Sequence, residues 1–276
     1  MMDRRLTPAN GRVAAVHLQG TVEAERFTEG ELRQVSVPVA SIWAAPDRAR
    51  RERQVLLGEQ VTVYEVRDGM AFVQSRRDGY VGYVSDAQLG PVSEATHAVS
   101  VPATHFYPAP DIKAPEVIAL SFGARVRIVA GQGEFFETDQ GKFIPKPHLR
   151  PLNRPVTDPV TVAQLHFGAP YLWGGNSITG IDCSGLVQAA LLAAGQPCPA
   201  DSDLQEKALG RELPEDTPAE RGDLYFWKGH VAIAVDGETL IHANAYHMAV
   251  AYEPISEAIE RIEAQGGGPV TARKRL

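Results

Sequence analysis

The stretch 170–195, PYLWGGNSITGIDCSGLVQAALLAAG, constrains the chain more than any other. A glycine-rich loop runs into Asp182-Cys183-Ser184-Gly185, and from Leu186 to Ala194 nearly every residue is apolar. A helix that is apolar all round is a buried one, and Gly195 suits the position just past its last turn. Cys183 is therefore expected at the N-terminal tip of a buried helix, facing a glycine-rich loop. The partial positive charge of a helix N-terminus favours thiolate over thiol, and the thiolate is the nucleophile. A free cysteine is most often a small buried hydrophobe. Here it precedes the apolar run, between Asp182 and Ser184, which are not core residues.

The second cysteine, Cys198, follows the helix. A helix over 183–194 is about 16 Å long, and a disulfide needs Cα atoms within about 7 Å. Two free thiols are expected, as in a reducing compartment. The 276-residue chain has a net charge of −7, which argues against nucleic acid or an anionic membrane as partner. No apolar run reaches the length of a membrane span. Arg4 and Arg5 are followed by no continuous apolar leader, so the reading is cytoplasmic, provided the natural chain starts here.

Residues 1–34 read as a mixed segment that packs on its neighbours; 13–18 fits a short strand or a short helix equally. Residues 35–95 read as all-β. Short β-rich runs flank the hairpin signal Asp68-Gly69, and Asp78-Gly79 leads into Tyr80-Val81-Gly82-Tyr83-Val84. Strands this short and closely spaced suggest a small barrel. Residues 96–152 repeat the pattern: Ala45-Pro46-Asp47 returns as Ala109-Pro110-Asp111, Leu57-Gly58 as Phe122-Gly123, Phe72 as Phe136, and Tyr83-Val84 as Phe143-Ile144. Two copies of one β module, with the layout of bacterial SH3-like domains, are the economical reading.

After the Pro-rich linker 151–158, Asp158-Pro159 reads as N-cap and first residue of a helix over 159–167. The Cys183 helix, a helical piece near 203–209, strands over 224–227, 230–235 and 240–243, a helix around 255–262 capped by Ser256, and a last strand over 270–275 complete the chain. The fold class is α+β: two small SH3-like barrels and then a papain-like α+β domain over 153–276.

His230 opens one strand and His242 lies in the next, across a tight hairpin. Neighbouring antiparallel strands lie about 5 Å apart, so the two imidazoles can meet on one face. Cysteine nucleophiles need one imidazole to take the thiol proton and a third polar group to orient it. Zinc is the competing reading of Cys183, His230 and His242, but closely spaced ligand pairs are missing. No metal and no cofactor are expected.

The blocks PYLWGG…GIDCSGLV, RGDLYFW-KGHVAIAV and LIHAN resemble the NlpC-type cell-wall cysteine peptidases. With the SH3-like modules ahead of them, they are similar to members that cut the γ-D-glutamyl–diamino acid bond of murein stem peptides, the diamino acid being meso-diaminopimelate or lysine. The resemblance implies Cys183 as nucleophile, His230 as base and His242 as orienter. It also implies that Tyr171, Asp182, Ser184 and Ser202, with Glu59 and Tyr80 of the first module, bind the free amine of an L-Ala–γ-D-Glu stem, as in the recycling members. Asp182 and Glu59 would cage that ammonium by charge-assisted hydrogen bonds. Asp182 is equally a natural N-cap, Ser184 and Ser202 natural first-turn residues, the tyrosines packing aromatics, and Glu59 a solvated turn residue. Two other functions fit the same features: a wall-peptide-binding protein without strong catalysis, and a papain-like amidase or transpeptidase on another amide.

Overall fold

The structure, a computed structural model, describes residues 2–276. The chain forms two compact units, Met1–Asn153 and Arg154–Leu276. Among the described residues no helix is long and apolar enough to cross a membrane.

The N-terminal unit is built mostly of short antiparallel strands. One sheet holds seven, in the order Arg51–Leu56, Val39–Trp43, Val81–Ser85, Met70–Ser75, Gln60–Arg67, Glu31–Val35, Leu89–Gly90. Asp68 (φ 50°) and Gly69 (φ 74°) turn Gln60–Arg67 back into Met70–Ser75. Two successive left-handed residues are what a two-residue hairpin with the sheet's own twist requires. The sheet takes in Glu31–Val35, so the first module begins a strand earlier than the boundary at 35. The undecided segment 13–18 divides: Val13–Ala15 is a strand, parallel to Arg26–Thr28, and Val16–Leu18 a 3₁₀ turn. Its Val13, Ala15 and Leu18 are buried together with Tyr64, Phe72 and Val81 of the sheet.

The second half of this unit repeats the first in pairing as well as in sequence. Glu31–Val35 pairs with both Gln60–Arg67 and Leu89–Gly90; His97–Val99 pairs with both Arg125–Val126 and Leu149–Pro151. Val39–Trp43 pairs with Arg51–Leu56, as Ala103–Phe106 does with Ile118–Ser121. A 3₁₀ turn precedes the last strand each time, Asp86–Gln88 and Lys146–His148. The turns Leu57-Gly58 and Phe122-Gly123 are equivalent too. Gly58 N donates to Val35 O and Gly123 N to Val99 O, both at 3.0 Å, and both glycines have positive φ. These two turns meet. Arg125 N donates to Leu57 O at 2.8 Å, Leu57 is buried among Val99, Phe106, Leu120 and Ile144, and Gly123 lies against Leu56. A Cβ on Gly58 would collide with the Arg125 carbonyl.

The C-terminal unit is a six-stranded antiparallel sheet with four helices. Strand order is Arg211–Glu212, Ala272–Arg275, Leu224–Trp227, His230–Ala234, Thr239–Asn244, Ala249–Pro254. Helix α1 is Pro159–Leu165, α2 Cys183–Ala193, α3 Ser202–Ala208 and α4 Ile255–Ala264. Asp158 caps α1, accepting from Val160 N at 3.0 Å. Helix α2 packs against α1 and against the strands His230–Ala234 and Thr239–Asn244. Its C-terminus closes with Gly195 N donating to Leu192 O and Gln196 N to Leu191 O, the paired bonds that a glycine in the left-handed region allows. Helix α4 buries Ala258 and Ile262 against Tyr225, Trp227 and Leu240.

Two expectations are corrected here. Pro254, not Ser256, is the N-cap of α4, and it makes no side-chain cap bond; its fixed φ instead carries the preceding strand into the helix. That strand, Ala249–Pro254, was not expected. Its buried positions, Val250 and Glu253, are three apart and one is charged, so no period-two apolar pattern announces it.

Candidate active site

Asp182 stands between the glycine-rich loop and α2. Its Oδ1 accepts from Gly185 N at 2.6 Å and from Ser184 Oγ at 3.0 Å; its Oδ2 accepts from Gly174 N at 2.9 Å. The carboxylate satisfies one donor of the first helical turn and one of the loop. Gly185 is required by close approach: a Cβ there would lie 2.6 Å from both Asn176 Oδ1 and Gly175 O. The loop thus lies directly on the first turn, and Cys183 is the first residue of the helix, 8% exposed. Both cysteines are free thiols.

Tyr171 sits beside this tip. Burial raises its hydroxyl pKa, and negative charge on Cys183 and Asp182 adds to the effect. Ser202 opens α3 and is buried. Gln205, one turn further, was not singled out in the sequence; its Nε2 donates to Ser184 O at 2.8 Å and to Pro199 O at 3.0 Å. It ties α3 to the Cys183 turn. An interior glutamine in a short polar helix carries no sequence signal of that duty.

His230 is the first residue of its strand and half-buried, with the Trp227 ring 5.6 Å away centre to centre. Its Nε2 lies 2.9 Å from Nδ1 of His242. His242 is fully buried, and its Nε2 lies 2.9 Å from Oε2 of Glu253. Arg261 of α4 donates to both oxygens of that carboxylate, Nε to Oε1 at 2.7 Å and Nη2 to Oε2 at 2.8 Å. The row His230–His242–Glu253–Arg261 therefore runs from the sheet to α4. Glu253 was absent from the sequence expectation because the strand carrying it was, and without Glu253 nothing singled out Arg261 on the expected helix.

Burial pushes the His230 pKa down to about 3, with His242 and Arg261 adding to the effect and Glu253 opposing it. Burial also lowers His242, against its hydrogen bond to Glu253. Burial works against the charge of Glu253, but the hydrogen bonds of Arg261 and His242 outweigh it and hold the carboxyl down to about 2. Two neutral imidazoles beside an ionised glutamate are what a proton acceptor for a thiol needs. Ligand atoms of His242, His247 and Glu253 lie within 4.8 Å of one another, but both Glu253 oxygens are engaged by Arg261 and His242, and Nδ1 of His247 lies 3.1 Å from Asn244 Oδ1.

Glu59 and Tyr80 belong to the N-terminal unit, and both have partners there. Glu59 is buried; it accepts from Leu56 N at 2.8 Å and is ion-paired with Arg77 at 2.8 Å. Its burial excludes the alternative of a solvated turn residue. Tyr80 is buried, and its hydroxyl donates to Glu52 Oε2 at 3.2 Å.

Two regions of the chain match known families. Residues 168–262 match the NlpC/P60 family and residues 42–89 the bacterial dipeptidyl-peptidase SH3 domain. A gamma-D-glutamyl-L-lysine dipeptidyl-peptidase of Bacillus subtilis is 29% identical over 233 residues, 75% of this chain and 77% of that one. The protein of the same name from Bacillus cereus is 24% identical over 242 residues, 74% of this chain and 71% of that one. Among solved structures, an NlpC/P60 family protein from Bacillus cereus superposes with a TM-score of 0.75 at 21% identity, over 89% of this chain and 99% of that one. The match over residues 168–262, with a bacterial SH3 domain matched ahead of it, makes the C-terminal unit an NlpC/P60 family domain.

Proposed function

We propose that the protein is a cysteine endopeptidase that hydrolyses the γ-D-glutamyl–diamino acid bond of murein peptides with a free N-terminal L-Ala, as in cell-wall peptide recycling. The observation that carries the reading is the placement of Cys183 on the first turn of α2 in the same unit as the hydrogen-bonded pair His230–His242. The name dipeptidyl-peptidase, borne by the Bacillus relatives, describes release of a dipeptide from a free N-terminus. Here that dipeptide would be L-Ala–γ-D-Glu.

In this reading His230 takes the Cys183 proton. The thiolate attacks the γ-carbonyl of the glutamyl residue, and the tetrahedral intermediate collapses as His230 protonates the leaving amine of the diamino acid. Water, deprotonated by the same imidazole, then hydrolyses the thioester and frees Cys183. Asp182 accepts three hydrogen bonds within the unit. In this reading the same carboxylate also meets the substrate ammonium by a charge-assisted hydrogen bond, with Tyr171, Ser184 and Ser202 flanking it. The second module, equivalent in pairing to the first, is read as a second SH3-like domain.

The test is to compare free and N-acetylated L-Ala–γ-D-Glu–diaminopimelate, and the lysine analogue, side by side. Acetylation removes the charge and adds bulk. It is expected to lower kcat/KM by at least about a hundredfold, the loss that follows from roughly 3 kcal/mol at a buried charged contact. Equal rates would overturn the free-amine reading.

A further inference from the structure

We propose that Glu253, fixed by Arg261, is a positioning residue that sets the tautomers of both histidines and so makes Nδ1 of His230 the basic atom of the site. The inference rests on the reading of Cys183 and His230 as nucleophile and base. It follows from the order of donors and acceptors along the row. Arg261 spends two N–H groups on Glu253, one on each oxygen. A carboxylate bound this way is ionised and can only accept. The proton in the 2.9 Å contact between His242 and Glu253 is therefore on Nε2 of His242. A neutral imidazole carries one proton, so Nδ1 of His242 is bare and must accept in its own 2.9 Å contact. The donor there is Nε2–H of His230. Once that nitrogen holds the proton, Nδ1 of neutral His230 carries the lone pair, and no other ring atom can take the thiol proton.

The proton count closes. The S–H bond of Cys183 breaks and an N–H bond forms at Nδ1 of His230, which becomes an imidazolium. Its Nε2–H continues to donate to His242, which stays neutral, and the negative charge stays on Glu253. No proton moves along the row; each group fixes the direction of the next hydrogen bond. The stacking of Arg261 over the Tyr246 ring, 4.6 Å to the centroid, restrains the guanidinium from its solvent side.

The glutamine variant separates charge from shape. In Glu253→Gln one of the two acceptor positions becomes an NH2 group; Arg261 meets both positions, but only the one in the Oε2 place faces His242, and an NH2 there donates to Nε2. Each tautomer downstream then reverses, and His230 carries its proton on Nδ1. We expect kcat to fall by about 10²–10⁴-fold with KM within about threefold, and a smaller loss in Glu253→Asp, which keeps an acceptor. Imidazole ¹⁵N spectra of the free protein supply the readout that packing alone would not move. The wild type should show a protonated Nε2 and a bare Nδ1 on His230, and Glu253→Gln the reverse. A wild-type His230 with its proton on Nδ1, or a folded Glu253→Gln protein within threefold of wild-type kcat, would overturn the proposal. The wild-type spectrum suffices if the variant does not fold. Because it needs no substrate, a failure of the peptide assay counts against the proposed function and leaves the tautomer assignment to its own test.

Discussion

Asp182 joins Gly174 of the loop to Gly185 of the helix, with one carboxylate oxygen facing each. The residue just before Cys183 is thus a structural clasp whatever else it binds. Asp182→Ala should destabilise the protein by about 1–3 kcal/mol, the sum of a lost N-cap and a buried loop N–H left unpaired. Urea denaturation measures it; a loss under about 0.5 kcal/mol would show that the loop is held by something else.

Cys183 occupies the first helical turn, and its side chain is not part of the mid-helix packing. Cys183→Ala and Cys183→Ser should therefore leave the thermal midpoint within a few degrees while hydrolysis falls below about a thousandth of wild type. Residual turnover above that level would remove Cys183 as the nucleophile.

In the proposed mechanism His230 transfers the proton and His242 only orients it, so His230→Ala should cost more in kcat/KM than His242→Ala. Steady-state kinetics on one peptide substrate decide the order. The reverse order would exchange the two roles.

Acid should unfold this protein early. His230 is held neutral, down to about 3, by burial, with His242, Arg261 and Glu253 around it. From about pH 6.5 to 3 the unfolded chain binds a proton there that the folded chain does not. Stability is full above that window and is lost as pH falls, at about 1.4 kcal/mol per pH unit for each such proton. Glu253, held down to about 2, adds to the loss at the acid end of the window. His166, lowered mainly by burial, contributes a background that no change at His230 removes. Urea midpoints at pH 7 and pH 5 should therefore drop less in His230→Gln than in wild type. Parallel drops would mean that His230 titrates normally.

Gly185→Ala sets two effects against each other. Helix propensity favours alanine by about 1 kcal/mol, whereas the new Cβ meets Asn176 and the Gly175 carbonyl at 2.6 Å. Backbone cannot yield cheaply, so a net destabilisation of about 1–3 kcal/mol is expected in chemical denaturation. A stabilised variant would show that the loop moves aside freely.

What the sequence made legible had local causes. An N-cap, a continuous apolar run and a terminal glycine placed Cys183 at the tip of α2. An Asp-Gly turn between two apolar strands brought His230 and His242 together. The module repeat showed in the recurrence of Leu57-Gly58 as Phe122-Gly123. What stayed hidden depended on contacts distant in the chain. Glu253 gave no signal because a buried charge reads as polar, and Arg261 on the next element makes its burial tolerable. Glu59 read as an ammonium ligand or a solvated turn residue because its counter-ion, Arg77, lies 18 residues further along the chain.

The meeting of the Leu57-Gly58 and Phe122-Gly123 turns bears on how such a chain can change over time. Duplicated modules are free to diverge wherever the copies do not touch. Here the equivalent turns are each other's neighbours: the first copy lends Leu57 to the core of the second, and Arg125 occupies the space that any side chain at residue 58 would need. A drift in one turn must be answered in its twin. The first module is accordingly not a portable cassette. Cut from its sibling after residue 95, it would carry an uncovered leucine and lose the Arg125–Leu57 backbone bond, and the pair is inherited, or lost, as one.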